Sequence, residues 1–302
     1  METPRFEVIG LRLPVIEEPT DLAKLIVEAA EEQAGGIRDG DIIVVTSKLY
    51  LKSVGEVIDL SRVRPRLAAR VIARICGKNP VETELVLRYT KRILAVIPLE
   101  ISKGIARALA EFSADPERAK EVIKSIGSLL LVVTKNNLVA LDAGLDYSNL
   151  PPGKAIAHTI DFDEAARRLR QRIEELSGKR VGVVLTDTES LLVYRPCSID
   201  IAVGASGIPV VSRKFAELDV YGKPKFGGVD CIADEVASAA ALLMGQTSER
   251  VPVVIVRGLN LPRIDEEVKR FCRERGRRFS AKMWLKTALA KLVFALSSFS
   301  RE

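Results

Sequence analysis

The chain has 302 residues, 47% of them hydrophobic, which is ample for a buried core in one large domain or two ordinary ones. It holds 46 Lys/Arg against 40 Asp/Glu; 11 and 5 of these fall between Arg263 and Glu302, leaving 35 of each elsewhere, so the body gives no electrostatic argument for nucleic acid. Four scattered cysteines (Cys76, Cys197, Cys231, Cys272) with no CxxC pair, one histidine, and no apolar run near the roughly 18 residues of a membrane span argue against a disulfide framework, a zinc site and a transmembrane helix.

Met1 to Gly10 lacks the basic-then-apolar start of a signal peptide, and a cytoplasmic protein is the expectation. Phe6–Leu11 reads as a strand. Asp21–Gln33 is an amphipathic helix with Leu22, Leu25, Ile26 and Ala29 on one face, capped by Thr20 or Asp21 and stopped by Gly35-Gly36. Ile42–Val45 is a buried strand after the Asp39-Gly40-Asp41 turn, and Val54–Leu60 reads as another. Helices are expected over Pro65–Cys76 and Val81–Tyr89, and strands over Ile93–Ile97, Leu129–Val133 and Leu138–Leu141. Asp161 and Glu164 form a capping box for a helix over Phe162–Ser177, with Gly178 as its stop. Val181–Leu185 is a strand, Cys231–Met244 a helix capped by Asp230, and Val251–Val256 a strand. The mixture predicts an α+β fold with mixed sheets. Pro151-Pro152-Gly153 marks a loop and a candidate boundary between halves.

Neither GxxxxGK[ST] nor a strand-anchored GxGxxG occurs, and His158 sits in a plain loop context that offers no triad. Asp142-Ala143-Gly144-Leu145-Asp146-Tyr147-Ser148-Asn149 places hard oxygen donors around a glycine turn after a strand, a pattern suited to Mg²⁺ or Mn²⁺. Spacing alone favours a simple turn held by its own side chains. Thr186-Asp187-Thr188-Glu189 ends a buried strand, where either catalysis or a turn is at home. Lys48 and Lys52 share a face if their segment is helical and could meet phosphates, or they are solvated surface lysines. Met244-Gly245-Gln246 closes a helix whose carbonyls favour a cation, or is an ordinary glycine stop.

Taken together and in order, these segments resemble the F420-0:gamma-glutamyl ligase family. The resemblance runs through Gly10–Ile16, Asp39–Lys48, Lys52, Gly55, Ala143–Asp146 with Ser148-Asn149, and Gly178–Val183 leading to Thr186-Asp187-Thr188. It continues through Ile201–Ile208, Asp219–Gly222, Ile232–Gln246 and Val251–Leu259. It implies a two-lobed α+β subunit that forms homodimers. The implied reaction is GTP-driven: an acceptor carboxylate on F420-0 is phosphorylated, and L-glutamate then forms an amide. Carried over, Leu13, Pro14, Val15 and Ile16 line the guanine nucleotide, and Ser47, Lys48 and Lys52 meet its phosphates. Asp146 and Asp187 hold one divalent ion (Mg²⁺ or Mn²⁺), Thr188 and Gln246 a second, and Asn149 stands beside the nucleotide. Met244, Gly245, Gln246, Thr247, Ser248, Glu249, Arg250 and Val251 form the other wall. Lys48, Lys52, Asp146 and Asp187 are the expected catalytic group.

The sequence departs from that pattern in particular places. The small turn and arginine expected after Asp187-Thr188 is here Glu189-Ser190-Leu191-Leu192-Val193-Tyr194-Arg195. Other departures are Asn136-Asn137-Leu138, Asp142 and Tyr89. An added Asp142 and Glu189 are expected to weaken binding of an anionic acceptor, which leaves open a different small carboxylate or a silent nucleotide-binding regulator. Residues 1–262 are expected to form the catalytic body. Residues 263–302 form a basic amphipathic helical extension with Leu285, Leu289, Leu292, Leu296 and Phe299 on one stripe. That stripe fits packing on the body or a dimer mate, or a membrane-surface or nucleic-acid contact.

Overall fold

A computed structural model describes residues 3–98, 107, 109–190, 197–227 and 229–272. The leucine stripe of the extension and Arg195 lie outside the described residues. The frame is a five-stranded mixed sheet in the order β1-β10-β2-β8-β9. Its strands are β1 (Glu7–Leu11), β2 (Ile42–Thr46), β8 (Gly182–Ser190), β9 (Ser198–Ser206) and β10 (Val253–Arg257). β2 and β8 are parallel, with Ile42 opposite Gly182 and Thr46 opposite Thr186. The other three pairings are antiparallel. Ile42–Val45 of β2 and Val253–Val256 of β10 are unbroken runs of β-branched residues buried on both faces, which is what a sheet covered on both sides requires.

Helices α1 (Leu22–Ala34), α6 (Phe162–Ser177) and α7 (Ile232–Met244) pack on this sheet and make the larger core with it. The chain leaves that core after α2 (Ser47–Ser53) and builds a smaller one between residues 58 and 145. There α3 (Leu67–Cys76), α4 (Pro80–Tyr89) and α5 (Pro116–Ile126) accompany a three-stranded antiparallel sheet. That sheet consists of β4 (Thr90–Pro98), β5 (Ser128–Thr134) and β6 (Val139–Leu141). Cys76, Val86, Leu130, Val132 and Ala143 form its centre. A two-residue pair, β3 (Ile58–Asp59) with β7 (Lys154–Ala155), lies where the chain goes out and comes back. The Pro151-Pro152-Gly153 loop immediately precedes that return. No helix among the described residues is long and apolar enough to cross a membrane.

Several local expectations need correction. Val54–Leu60 is not a continuous strand: Gly55 takes φ 77°, and only Ile58 and Asp59 pair before a short 3₁₀ turn. Asp161 caps α6 through the amides of Asp163 and Glu164, but Glu164 pairs with Arg167 and Arg168 instead of reaching back to the cap. Cys231, not Asp230, is the N-cap of α7, and Asp230 pairs with Lys225. The first residues of the basic segment are bound to the body. Asp265 accepts from Arg170 and Ser206, Glu266 pairs with Arg213, and buried Asp163 accepts the amides of Val268 and Lys269 at the start of α8 (Val268–Cys272).

One glycine decides how closely α6 approaches the sheet. A Cβ on Gly204 in β9 would lie 2.2 Å from the carbonyl oxygen of Phe162. Neither backbone can yield without moving the helix start, so Gly204→Ala is expected to cost about 1–3 kcal/mol, read from urea unfolding. An unchanged midpoint would show that α6 can shift freely.

Candidate functional site

β2 and β8 run parallel, so their carboxyl ends open on the same side of the sheet. β2 passes directly into α2, whose N-cap Thr46 accepts from the amide of Leu49. This one turn brings Lys48 and Lys52 onto a common helical face. β8 delivers Asp187, Thr188 and Glu189. The turn after β6 delivers Asp142 and Asp146, and the loop after α7 delivers Gln246 to Pro252. These elements surround a cavity of about 750 Å³.

Every residue that the sequence assigned to nucleotide, metal or catalysis lies on this wall. Leu13, Pro14, Val15 and Ile16 line it, as do Met244 to Val251. Ser47, Lys48, Lys52, Asp146, Asn149, Asp187 and Thr188 line the same cavity. Lys48 Nζ lies 2.6 Å from Asp146 Oδ2 and also donates to Ser148. Burial alone would raise the pKa of Asp146, but hydrogen bonds from Lys48 and from the Ser148 amide outweigh it and hold the carboxyl below its usual range. Partial burial lowers the pKa of Lys52. Asn149 donates to the Thr247 carbonyl across the mouth.

Two further acidic groups belong to the same wall, and of these sequence reasoning missed Asp200. Asp200 of β9 is buried; it accepts from Thr188 Oγ1 at 2.7 Å and from Gln246 Nε2 at 3.1 Å. Burial raises its pKa. Glu189, which ends the Thr186–Glu189 run and departs from the family pattern, has its pKa pushed up to about 7, first by desolvation and then by the charge of Asp187. Its carboxylate accepts from the Leu141 amide at 3.3 Å.

A raised folded pKa means that the contribution of Glu189 to stability is full below about pH 4.5 and fades as pH rises through 7. Glu189→Gln in metal-free protein is therefore expected to stabilise at pH 8, by at most about 3 kcal/mol, and to be neutral at pH 4. Equal effects at both values in thermal melts would contradict this burial.

Other departures take unexpected places. Asp142 does not add bare negative charge, because Lys78 lies 2.9 Å away and the Leu130 amide donates to it. Asn136 donates to the Ile160 carbonyl and Asn137 accepts from Lys91, so neither lines the cavity. Tyr89 packs against the smaller core. His158 is not in a plain loop environment: it is 2% exposed, with Nε2 2.6 Å from Asp187 Oδ2. Nothing local in the sequence announces that contact, since 29 residues separate the partners.

The donors suit a hard cation: two carboxylates, a hydroxyl and a carboxamide, all oxygen. Among the described residues no three His, Cys, Asp or Glu side chains gather to hold an ion by themselves. Mg²⁺ commonly binds through one or two carboxylates completed by substrate phosphates, and this donor set fits that pattern.

Comparison with known proteins bears on the family. The sequence model of the family described as F420-0:Gamma-glutamyl ligase matches residues 10–258. The chain is 32% identical over 259 residues to the coenzyme F420:L-glutamate ligase of Methanopyrus kandleri, covering 86% of this chain and 88% of that protein. It is 33% identical to the proteins of the same name from Methanocaldococcus jannaschii and Archaeoglobus fulgidus. Each match covers 86% of this chain, and 91% and 90% of those relatives. The match begins at β1 and ends just after β10, so it takes in both cores and every element that reaches the cavity. On that extent, this chain belongs to the F420-0:gamma-glutamyl ligase family.

Proposed function

We propose that the protein is a GTP-dependent ligase that joins L-glutamate through an amide bond to the carboxylate of F420-0, by way of an acyl phosphate. One observation carries the reading beyond family membership: a single cavity gathers two lysines and two aspartates, Lys48, Lys52, Asp146 and Asp187, from three separate segments. That is the equipment for phosphoryl transfer, where the protein chiefly positions groups and neutralises charge.

In this reading an oxygen of the acceptor carboxylate attacks the γ-phosphorus and GDP leaves. The glutamate amine then attacks the acyl carbon, loses a proton, and inorganic phosphate departs. Lys48 and Lys52 neutralise phosphate oxygens, with Lys48 exchanging its present partner Asp146 for the nucleotide. Asp146 and Asp187 would hold one Mg²⁺ or Mn²⁺, and Thr188 and Gln246 a second. Ions held there supply further charge neutralisation. Asp200, bonded to both Thr188 and Gln246, brings negative charge beside the neutral Gln246. A homodimer and a cytoplasmic location belong to the same proposal.

A second reading, the same chemistry on another small carboxylate, is favoured by Glu189, an acidic group on the wall near Asp187. Mass spectrometry of a reaction with protein, GTP, Mn²⁺, F420-0 and L-glutamate separates the two. A product heavier by one glutamyl unit, formed together with GDP, supports the first. GDP formed only with a different carboxylate supports the second. Failure to bind GTP removes both.

A further inference from the structure

His158 has no part in the reaction just proposed, yet it is built into the site with care. Its ring is confined by two neighbours and its backbone is anchored by a third. The edge of Phe162 meets it at 5.1 Å and 84°, and its own amide donates to the Ala143 carbonyl at 3.1 Å. A Cβ on Gly144 would fall 2.3 Å from ring atoms Cδ2 and Nε2, so the glycine turn that carries Asp146 also makes room for this imidazole.

Among the described residues only one ring nitrogen finds a partner. Nε2 faces Asp187 Oδ2 at 2.6 Å, while Nδ1 is buried with no hydrogen-bond partner among the described residues. A neutral imidazole carries one N–H. Placed on Nδ1 it would be a buried donor without an acceptor, at the full cost of desolvation; placed on Nε2 it meets a carboxylate. The ring therefore donates from Nε2. Asp187 Oδ1 in turn accepts the Thr188 amide at 3.0 Å. Each oxygen of Asp187 is thus tethered by a different element, and the carboxylate cannot rotate.

We propose that His158 is a positioning residue: its Nε2–H fixes the Asp187 carboxylate so that its free lone pairs are already aimed at a divalent cation. The inference rests on the reading that Asp187 meets such an ion. Partners of metal ligands orient them and typically change affinity 10–100-fold when removed.

The chain has a single histidine, so ¹⁵N-histidine labelling gives one imidazole spectrum, and the metal-free protein should show the proton on Nε2. Mn²⁺ titrations at fixed GDP, read by electron paramagnetic resonance, should then compare the parent with His158→Phe and His158→Gln. Phe keeps the ring volume and removes the donor; Gln restores a donor. The expected result is a roughly 10–100-fold loss of Mn²⁺ affinity for Phe and recovery to within about threefold of the parent for Gln. Circular dichroism melts should show all three folded at the titration temperature. Equal affinity for Phe and the parent overturns the positioning role alone, as does a proton on Nδ1. No Mn²⁺ binding by the parent overturns the cation reading and this inference with it. A filler role in the core predicts weakened melts with unchanged affinity, or a Gln variant no better than Phe.

Discussion

Asp187→Asn is expected to lower amide formation by about 10²–10³-fold while leaving the fold intact. Asn has nearly the same shape, its side-chain oxygen can still accept from His158, and Asp187 is partly exposed to the cavity, so little packing is disturbed. What disappears is one of the two cavity carboxylates that the proposed function gives to a cation. Asp146→Asn is a useful contrast, because it removes a ligand and at the same time frees the Lys48 ammonium held 2.6 Å away. Those effects oppose each other, so the Asp146 variant should retain more GTP affinity than its loss of turnover implies. Single-turnover GDP release with parallel nucleotide titration measures both. An Asp187→Asn enzyme within threefold of the parent would remove Asp187 from the chemistry.

The second large effect concerns stability. Asp41, 1% exposed, and Arg257, 9% exposed, join the start of β2 to the end of β10. The guanidinium reaches both carboxylate oxygens, at 2.9 and 2.7 Å, and the carbonyls of Ala34 and Gly36. The carboxylate takes the Arg38 amide as well. Such a pair adds little net stability over well-packed apolar residues, but removing one partner strands a buried charge. Asp41→Ala should cost about 3–5 kcal/mol in urea unfolding followed by circular dichroism. Adding Arg257→Met to Asp41→Ala should recover part of that loss, giving a coupling that separate sites would not show. A loss under about 1 kcal/mol for Asp41→Ala would mean that water reaches the guanidinium.

The sequence disclosed elements whose signals are local. The caps and apolar face of α1, the Phe162–Ser177 span of α6 and the apolar strands β2, β8 and β10 could all be read from a window of a dozen residues. β9 carries no clear strand signal of its own. Ser198–Ser206 mixes Ser, Asp, Gly and Ala, residues of low strand propensity, and it becomes a strand because β8 pairs along its whole length. α5 was missed for the opposite reason: its Asp115 cap and Pro116 are good start signals, but Pro116–Ile126 carries too few apolar residues to declare a buried face.

At the site, residues that matched a motif were legible, and those that act through distant partners were not. His158 and Asp200 acquire meaning only when strands 29 and 12 residues away bring Asp187 and Thr188 to them. Asp142 was legible as an acid but not as the partner of Lys78, which lies 64 residues earlier in the chain.

The strand order has a consequence for synthesis. β10 occupies the place between β1 and β2, yet it is the last of the five strands to leave the ribosome. Until Val253–Arg257 emerges, β1 has no neighbour in the sheet and β2 has one open edge, while Arg257 is not yet there to meet Asp41. A nascent chain thus exposes a run of β-branched residues for most of its translation, the condition under which growing polypeptides aggregate or need a chaperone. Closing the frame is a late event spanning almost the whole body, and the mouth of the cavity, whose rim includes Val251 and Pro252, takes shape only at that moment.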